Sequence, residues 1–148
     1  MGTGSAGVAA ARGELSAWEH DAEGALALVL LLDQIPRNIF RGSPHAFATD
    51  GLAQIVAARA VERQFDAATD SLLRVFFYMP FEHAENPALQ DRCVTLMRNM
   101  GEPDYLKYAI QHRDIIARFG RFPHRNAILG RKSMPEELAF LAEGGFAG

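Results

Sequence analysis

The chemistry-bearing residues concentrate in one stretch, His112 to Arg131 (HRDIIARFGRFPHRNAILGR). It holds two histidines, five arginines, one aspartate and one asparagine among aromatic and aliphatic residues. An earlier segment, Asp33 to Gly42 (DQIPRNIFRG), echoes it with Pro, Arg-Asn, an apolar pair, then Arg-Gly. Between them MPFEHAENP brings Glu82, His83 and Glu85. Planar guanidinium forks grip carboxylate or phosphate, and imidazoles move protons near neutral pH. A pocket of this kind would use Arg37, Arg121, Arg125 and His112 toward ligand, with Asp33 orienting one arginine. Asn38, Arg41, Arg113, His124, Asn126 and Arg131 complete the candidate set.

These groups need rigid elements behind them, and the pattern is helical. Trp18 to Gln34 forms a helix that is apolar all round between Ala25 and Leu32, hence buried on most sides. Asp33 follows Val29 and Leu30 onto buried surface and needs a cation, either Arg37 across the turn set by Pro36 or an arginine of the later stretch. Thr49 or Asp50 caps the next helix, which runs to Gln64 with Leu52, Ile55, Val56, Ala60 and Phe65 inward. Ser71 to Tyr78 is short and aromatic, ended by Pro80. Asn86-Pro87 starts another helix that stops at Gly101. Asp104 starts one that stops at Gly120. Ser133 and Glu136, with Pro135 between them, form a capping box for the last helix, which runs to Glu143.

On the Asp104 helix, Tyr105, Tyr108, Ala109, His112, Ile116 and Phe119 share one face. His112 therefore points inward and Arg113 partly so, while Asp114 and Arg118 pair at four-residue spacing on the wet side. Beyond Gly120, Pro123, Phe122 and Leu129 anchor a turn that aims Arg121, His124, Arg125, Asn126 and Arg131 in defined directions. No segment alternates like a strand. The expectation is an all-α fold of six or seven helices in antiparallel hairpins.

Composition bounds the function. The 148 residues make one domain, with 49% hydrophobic and 22% charged residues and a net charge of −3. That charge argues against nucleic acid or an anionic membrane as partner. The basic residues are 13 arginines and two lysines, which fits either anion recognition or a GC-rich genome. Cys93 is the single cysteine and is expected in a helix interior, so no internal disulfide forms and a cytoplasmic setting fits. The longest apolar run, Ala25 to Leu32, is too short to span a bilayer. Residues 1–12 are Gly/Ala-rich without periodicity and are expected as a disordered leader to a single helical domain over 13–148. His83, Glu85, His112, Asp114 and His124 have only weak metal-ligand spacings, so neither metal nor cofactor is expected. A nucleophile elbow, a phosphate-cradling loop and a dinucleotide fingerprint are absent from the sequence.

The segments LALVLLLDQIPRNIFRGSPHAFATD, FYMPFEHAEN, HRDIIARFGRFPHRNAILGR and PEELAFL resemble the bacterial family called domain of unknown function 924, from about Gly13 to Leu141. The resemblance implies an all-α, tetratricopeptide-like fold and no particular activity. It carries over, as signature polar positions, the candidates named above together with Gln34. Members of that family usually begin with an aromatic-rich segment and a further helix. Without them the helix at Ala25 is expected to expose an apolar face, covered in a homodimer or swapped assembly.

Three functions follow. The first is a pocket for a small anionic molecule or acidic peptide end. The second is a hydrolase or transferase on an anionic substrate with His112 or His124 as acid/base. The third is an interaction module in which the polar stretch is structural. A pocket requires Arg37 and Arg125 to converge on a cavity. An enzyme requires a histidine open to it. A structural role requires these groups paired off with no cavity.

Overall fold

A computed structural model describes residues 3–148, all in helices and turns with no strand among them. The elements are α1 Thr3–Ala11, α2 Ala22–Leu32, α3 Gln34–Ile39, α4 Asp50–Glu62, α5 Ser71–Glu82, α6 Pro87–Met100, α7 Pro103–Phe119 and α8 Pro135–Ala142. Short 3-10 turns lie at Ser16–His20, Pro44–Phe47 and Pro123–Arg125. The fold is all-α, as the periodicity requires. Consecutive helices α4 to α7 pack on one another across short links, so the chain must reverse direction at each.

α2 is the axis. Ala25, Leu26, Leu28, Val29, Leu31 and Leu32 are all buried, and the helix packs against α1, α3, α4 and α5. Its start is fixed by Asp21, whose carboxylate accepts from the Gly24 amide at 2.7 Å. A β-carbon at Gly24 would run into the Trp18 carbonyl, so this entry needs glycine. Trp18 itself sits in the preceding 3-10 turn, and the helix begins at Ala22 instead of Trp18.

Several expectations are corrected. The disordered leader expected over 1–12 is a helix from Thr3 to Ala11, packed on α2 and α3 with Ala10 buried. Its small side chains allow that close approach; Met1 and Gly2 lie outside the described residues. α1 therefore covers α2, which removes the premise for a covering partner there. The apolar side chains that stand out nearby are Val8, Ile39 and Phe40. Pro80 does not end α5 at Tyr78. It is tolerated inside, because it forfeits one backbone bond while His83 N still donates to the Met79 carbonyl at 2.9 Å. The capping box sits one residue later than expected: Met134 N donates to Glu137 Oε1 at 2.8 Å. Ile55 and Tyr108 are exposed. Asp114 pairs with adjacent Arg113 at 3.0 Å, while Arg118 lies over the Phe119 and Phe140 rings.

The turn after α5 carries His83 and Glu85, and Gln90 of α6 holds it. The fully buried Gln90 amide donates to the carbonyls of Glu82 at 2.7 Å and Ala84 at 2.8 Å. We predict that Gln90→Leu strands both buried carbonyls and costs about 2–4 kcal/mol, read by urea unfolding. A change within 0.5 kcal/mol of zero (about the spread of neutral surface substitutions) would remove Gln90 as the clamp.

Candidate functional site

Three elements meet at Asp33. α2 ends there, with Asp33 N donating to the Val29 carbonyl at 2.9 Å, and α3 starts at the next residue. Pro36 falls in the first turn of α3, where its missing N–H is tolerated. Arg37 consequently stands one turn beyond Asp33. Its guanidinium donates to Asp33 Oδ1 at 2.8 Å and, as a two-pronged fork, to Asp50 of α4 at 2.9 and 2.8 Å. His83 Nδ1 approaches the same Asp33 carboxylate at 2.9 and 3.1 Å. Asp33 is 2% exposed. Burial works to raise its carboxyl, but His83, Arg37 and Arg125 outweigh that and hold it below its ordinary value.

Gly120, in the left-handed region at φ 74°, ends α7, and Pro123 fixes the turn that delivers Arg125. The Arg125 guanidinium carbon lies 4.5 Å from the Phe47 ring centre and 4.6 Å from that of Phe122, between two aromatic faces. Nη2 donates to the His83 carbonyl at 2.9 Å and Nη1 is 3.9 Å from Asp50. Nε is buried with no partner among the described residues. Burial foremost, then Arg37, lowers the group to about 10, so it stays charged at neutral pH.

Arg37 and Arg125 converge on a cavity of about 340 Å³, a size suited to a small molecule. Gln34, Asn38 and Arg41 line it from α3 and its end, His83 from α5, and His112, His124 and Phe146 from the far side. Asn38 and Arg41 are exposed, and Arg41 has no ion-pair partner among the described residues. His112 Nδ1 donates to the Tyr108 carbonyl at 2.7 Å, which leaves Nε2 as an acceptor. Burial pushes both His112 and His124 down to about 4, so both are neutral at pH 7. The Phe146 ring packs 4.6 Å from the His112 ring and 5.0 Å from that of His124.

Other candidates do not reach this cavity. Arg121, expected toward ligand, is committed to Glu137 at 2.8 and 2.9 Å and to the Lys132 carbonyl at 2.7 Å. Asn126 bridges Ser133, Glu137 and Arg131. Arg131 forks onto Glu85 at 2.8 and 3.1 Å, and Glu85 also accepts from the Phe122 amide at 2.7 Å. These four tie the Arg125 turn to α8 and to the turn after α5. Arg113 is turned to Asp114, away from the cavity. No group of three His, Cys, Asp or Glu among the described residues is placed to hold a metal.

Sequence reasoning did not pick out Phe47, Asp50 as a partner of Arg37, Phe122 as a stacking surface, or Phe146. Asp50 read as a helix cap, and nothing in a 13-residue separation marks an ion pair. Glu82, named in the sequence but not in the candidate set, is 5% exposed with Oε1 unpaired among the described residues. Burial, and then the Asp33 charge, raises Glu82 to about 7.

The chain matches the family described as "Bacterial protein of unknown function (DUF924)" over residues 3–145. It is similar to the solved structure of ATU0120, a protein of unknown function from Agrobacterium tumefaciens. The two are 54% identical, covering 95% of this chain and 79% of that one, with a TM-score of 0.91. No curated protein matches. No helix among the described residues is long and apolar enough to cross a membrane.

Glu82 makes stability depend on pH in a defined direction. Its folded value of about 7 lies above an unfolded carboxyl near 4.3, so the native state holds the extra proton between those values. Its contribution to stability therefore falls as pH rises from about 4 to 7 and is flat beyond. Glu82→Gln is expected to stabilise the fold by about 1–3 kcal/mol at pH 8 and by little at pH 4. Equal effects at both pH values in denaturant titrations would show that Glu82 does not titrate in this range.

Proposed function

Since the chain belongs to the DUF924 family of bacterial proteins, whose description carries no activity, we propose from the cavity itself that it binds a small anionic molecule or an acidic peptide end. The observation that carries this reading is Arg125. A buried guanidinium stacked between Phe47 and Phe122 lines the same cavity as the exposed Arg41. Arg37, Arg41 and Arg125 line the cavity, and behind them Asp33 and Asp50 pair with Arg37 and Asp50 approaches Arg125, which offsets two of the three charges and leaves one. His112 and His124 add neutral polar edges that do not repel an anion or compete for it by pairing.

A purely structural role accounts for Arg121, Asn126 and Arg131, each of which has its partners. It leaves Arg41 and the cavity without a purpose. The single buried thiol, Cys93, fits placement of this pocket in the cytoplasm.

The reading predicts a thermal shift with succinate, inorganic phosphate or a short peptide ending in Asp. At about 100 times the dissociation constant a ligand adds roughly 2.7 kcal/mol. Arg41→Ala should abolish the shift without changing the melting point of the free protein, since Arg41 makes no ion pair among the described residues. Arg121→Ala should lower the free melting point and keep the shift. No shift with any of the three probes, or an equal shift in Arg41→Ala, would overturn the proposal.

A further inference from the structure

His83 differs from the other histidines of the cavity in having a carboxylate behind it. It caps α5, and its Nδ1 sits 2.9 and 3.1 Å from the two oxygens of Asp33. An ionised carboxylate can only accept, so Nδ1 carries a proton, and in the neutral ring the lone pair is then on Nε2. A buried carboxylate so placed fixes the tautomer and ring orientation, and stabilises the imidazolium that forms when Nε2 takes a proton. His83 lines the cavity and also an adjoining depression beside Asp50 and Glu85, and its side chain is 17% exposed. His112 and His124, the expected acid/base candidates, lack this arrangement: one donates to a backbone carbonyl and the other has Nδ1 bare among the described residues.

A donor for developing negative charge stands nearby. Arg125 is tethered to the His83 carbonyl through Nη2, while its Nη1 makes no hydrogen bond among the described residues and lies 3.9 Å from Asp50. A donor held in place in this way is what an oxyanion requires. The charge balance also selects the substrate. One net positive charge suits a single carboxylate held at Arg41 together with a transient oxyanion at Arg125. A phosphate monoester would bring two permanent charges to the same place.

We infer that this cavity hydrolyses a small carboxylic ester bearing a second, anionic group, with His83 as general base, Asp33 as its positioning residue and Arg125 as the oxyanion donor. The inference rests on the anion-binding reading above. Water gives a proton to His83 Nε2 as its oxygen bonds to the carbonyl carbon, and the carbonyl electron pair moves onto oxygen facing Arg125. Collapse restores the carbonyl and breaks the bond to the alcohol oxygen, which takes the proton back from the imidazolium. One water is consumed, an acid and an alcohol are formed, and no redox partner is needed.

The test uses p-nitrophenyl hemisuccinate as ester, p-nitrophenyl phosphate as the phosphate counterpart and succinate as a binding probe in calorimetry. Saturable p-nitrophenolate release from the hemisuccinate is expected. His83→Asn keeps an N–H toward Asp33 and should lower kcat by about 10²–10⁴-fold while succinate affinity stays within about threefold. Succinate binding without saturable release overturns the hydrolytic inference and leaves the pocket intact. Neither binding nor release overturns both readings. Release that survives His83→Asn, or that occurs only from the phosphate, overturns the assignment. Should His83→Asn not fold, carbethoxylation of the wild-type protein decides: modification mapped to His83 must abolish release, and persistent release overturns the inference.

Discussion

The Asp33 carboxylate is the constraint from which the rest follows. A charge buried to this degree must be matched at close range, and leaving it without its partners costs about 3–5 kcal/mol. The partners come from different parts of the chain. Arg37 is one turn away on α3, His83 ends α5, and Arg37 in turn binds Asp50 at the start of α4. Satisfying one carboxylate thus sets the placement of three helices, α3, α4 and α5, around one end of α2. The cavity is the space that this arrangement leaves beside it.

The arginines divide into two populations by their partners. Arg121 and Arg131 each meet a glutamate through two N–H groups, and these forks bind α8 and the turn after α5 to the segment that follows α7. They are scaffold. Arg125 is held chiefly by aromatic faces and a backbone carbonyl, contacts that restrain a guanidinium without cancelling its charge. Arg41 is restrained by neither and stands at the rim. The residue type that made the sequence look like a binding site therefore serves two ends, and the scaffold population is what keeps the other one in place.

Much of the fold was legible before any coordinate. Asn86-Pro87 begins α6 as its types require, with Asn86 Oδ1 accepting from the Ala88 and Leu89 amides, and Gly101 and Gly120 end their helices in the left-handed region. The apolar run after Gly24 is buried on most sides. These are local effects, decided by a few neighbouring residues. The misreadings have the opposite origin. Local preference makes Pro80 a stop, yet the packing around α5 carries the helix on to Glu82. The alanines of α1 have no periodicity to betray them, and they are ordered by lying against α2 and α3.

For the site the same boundary applies. Sequence alone determined which residue types were present, that His112 faces inward, and that Asp33 must be buried and need a cation, because helical spacing and turn chemistry are properties of short segments. Only the tertiary structure decided which arginines are spent on glutamates and which line the cavity, that His83 and not His112 or His124 shares the carboxylate, and that Phe47 and Phe122 stack on Arg125. Apart from Phe122, which precedes Arg125 by one turn, those pairings join residues from 16 to 78 positions apart. Ion pairs and stacked rings carry no periodicity along the chain, so their partners are chosen by distance in space once the helices have packed.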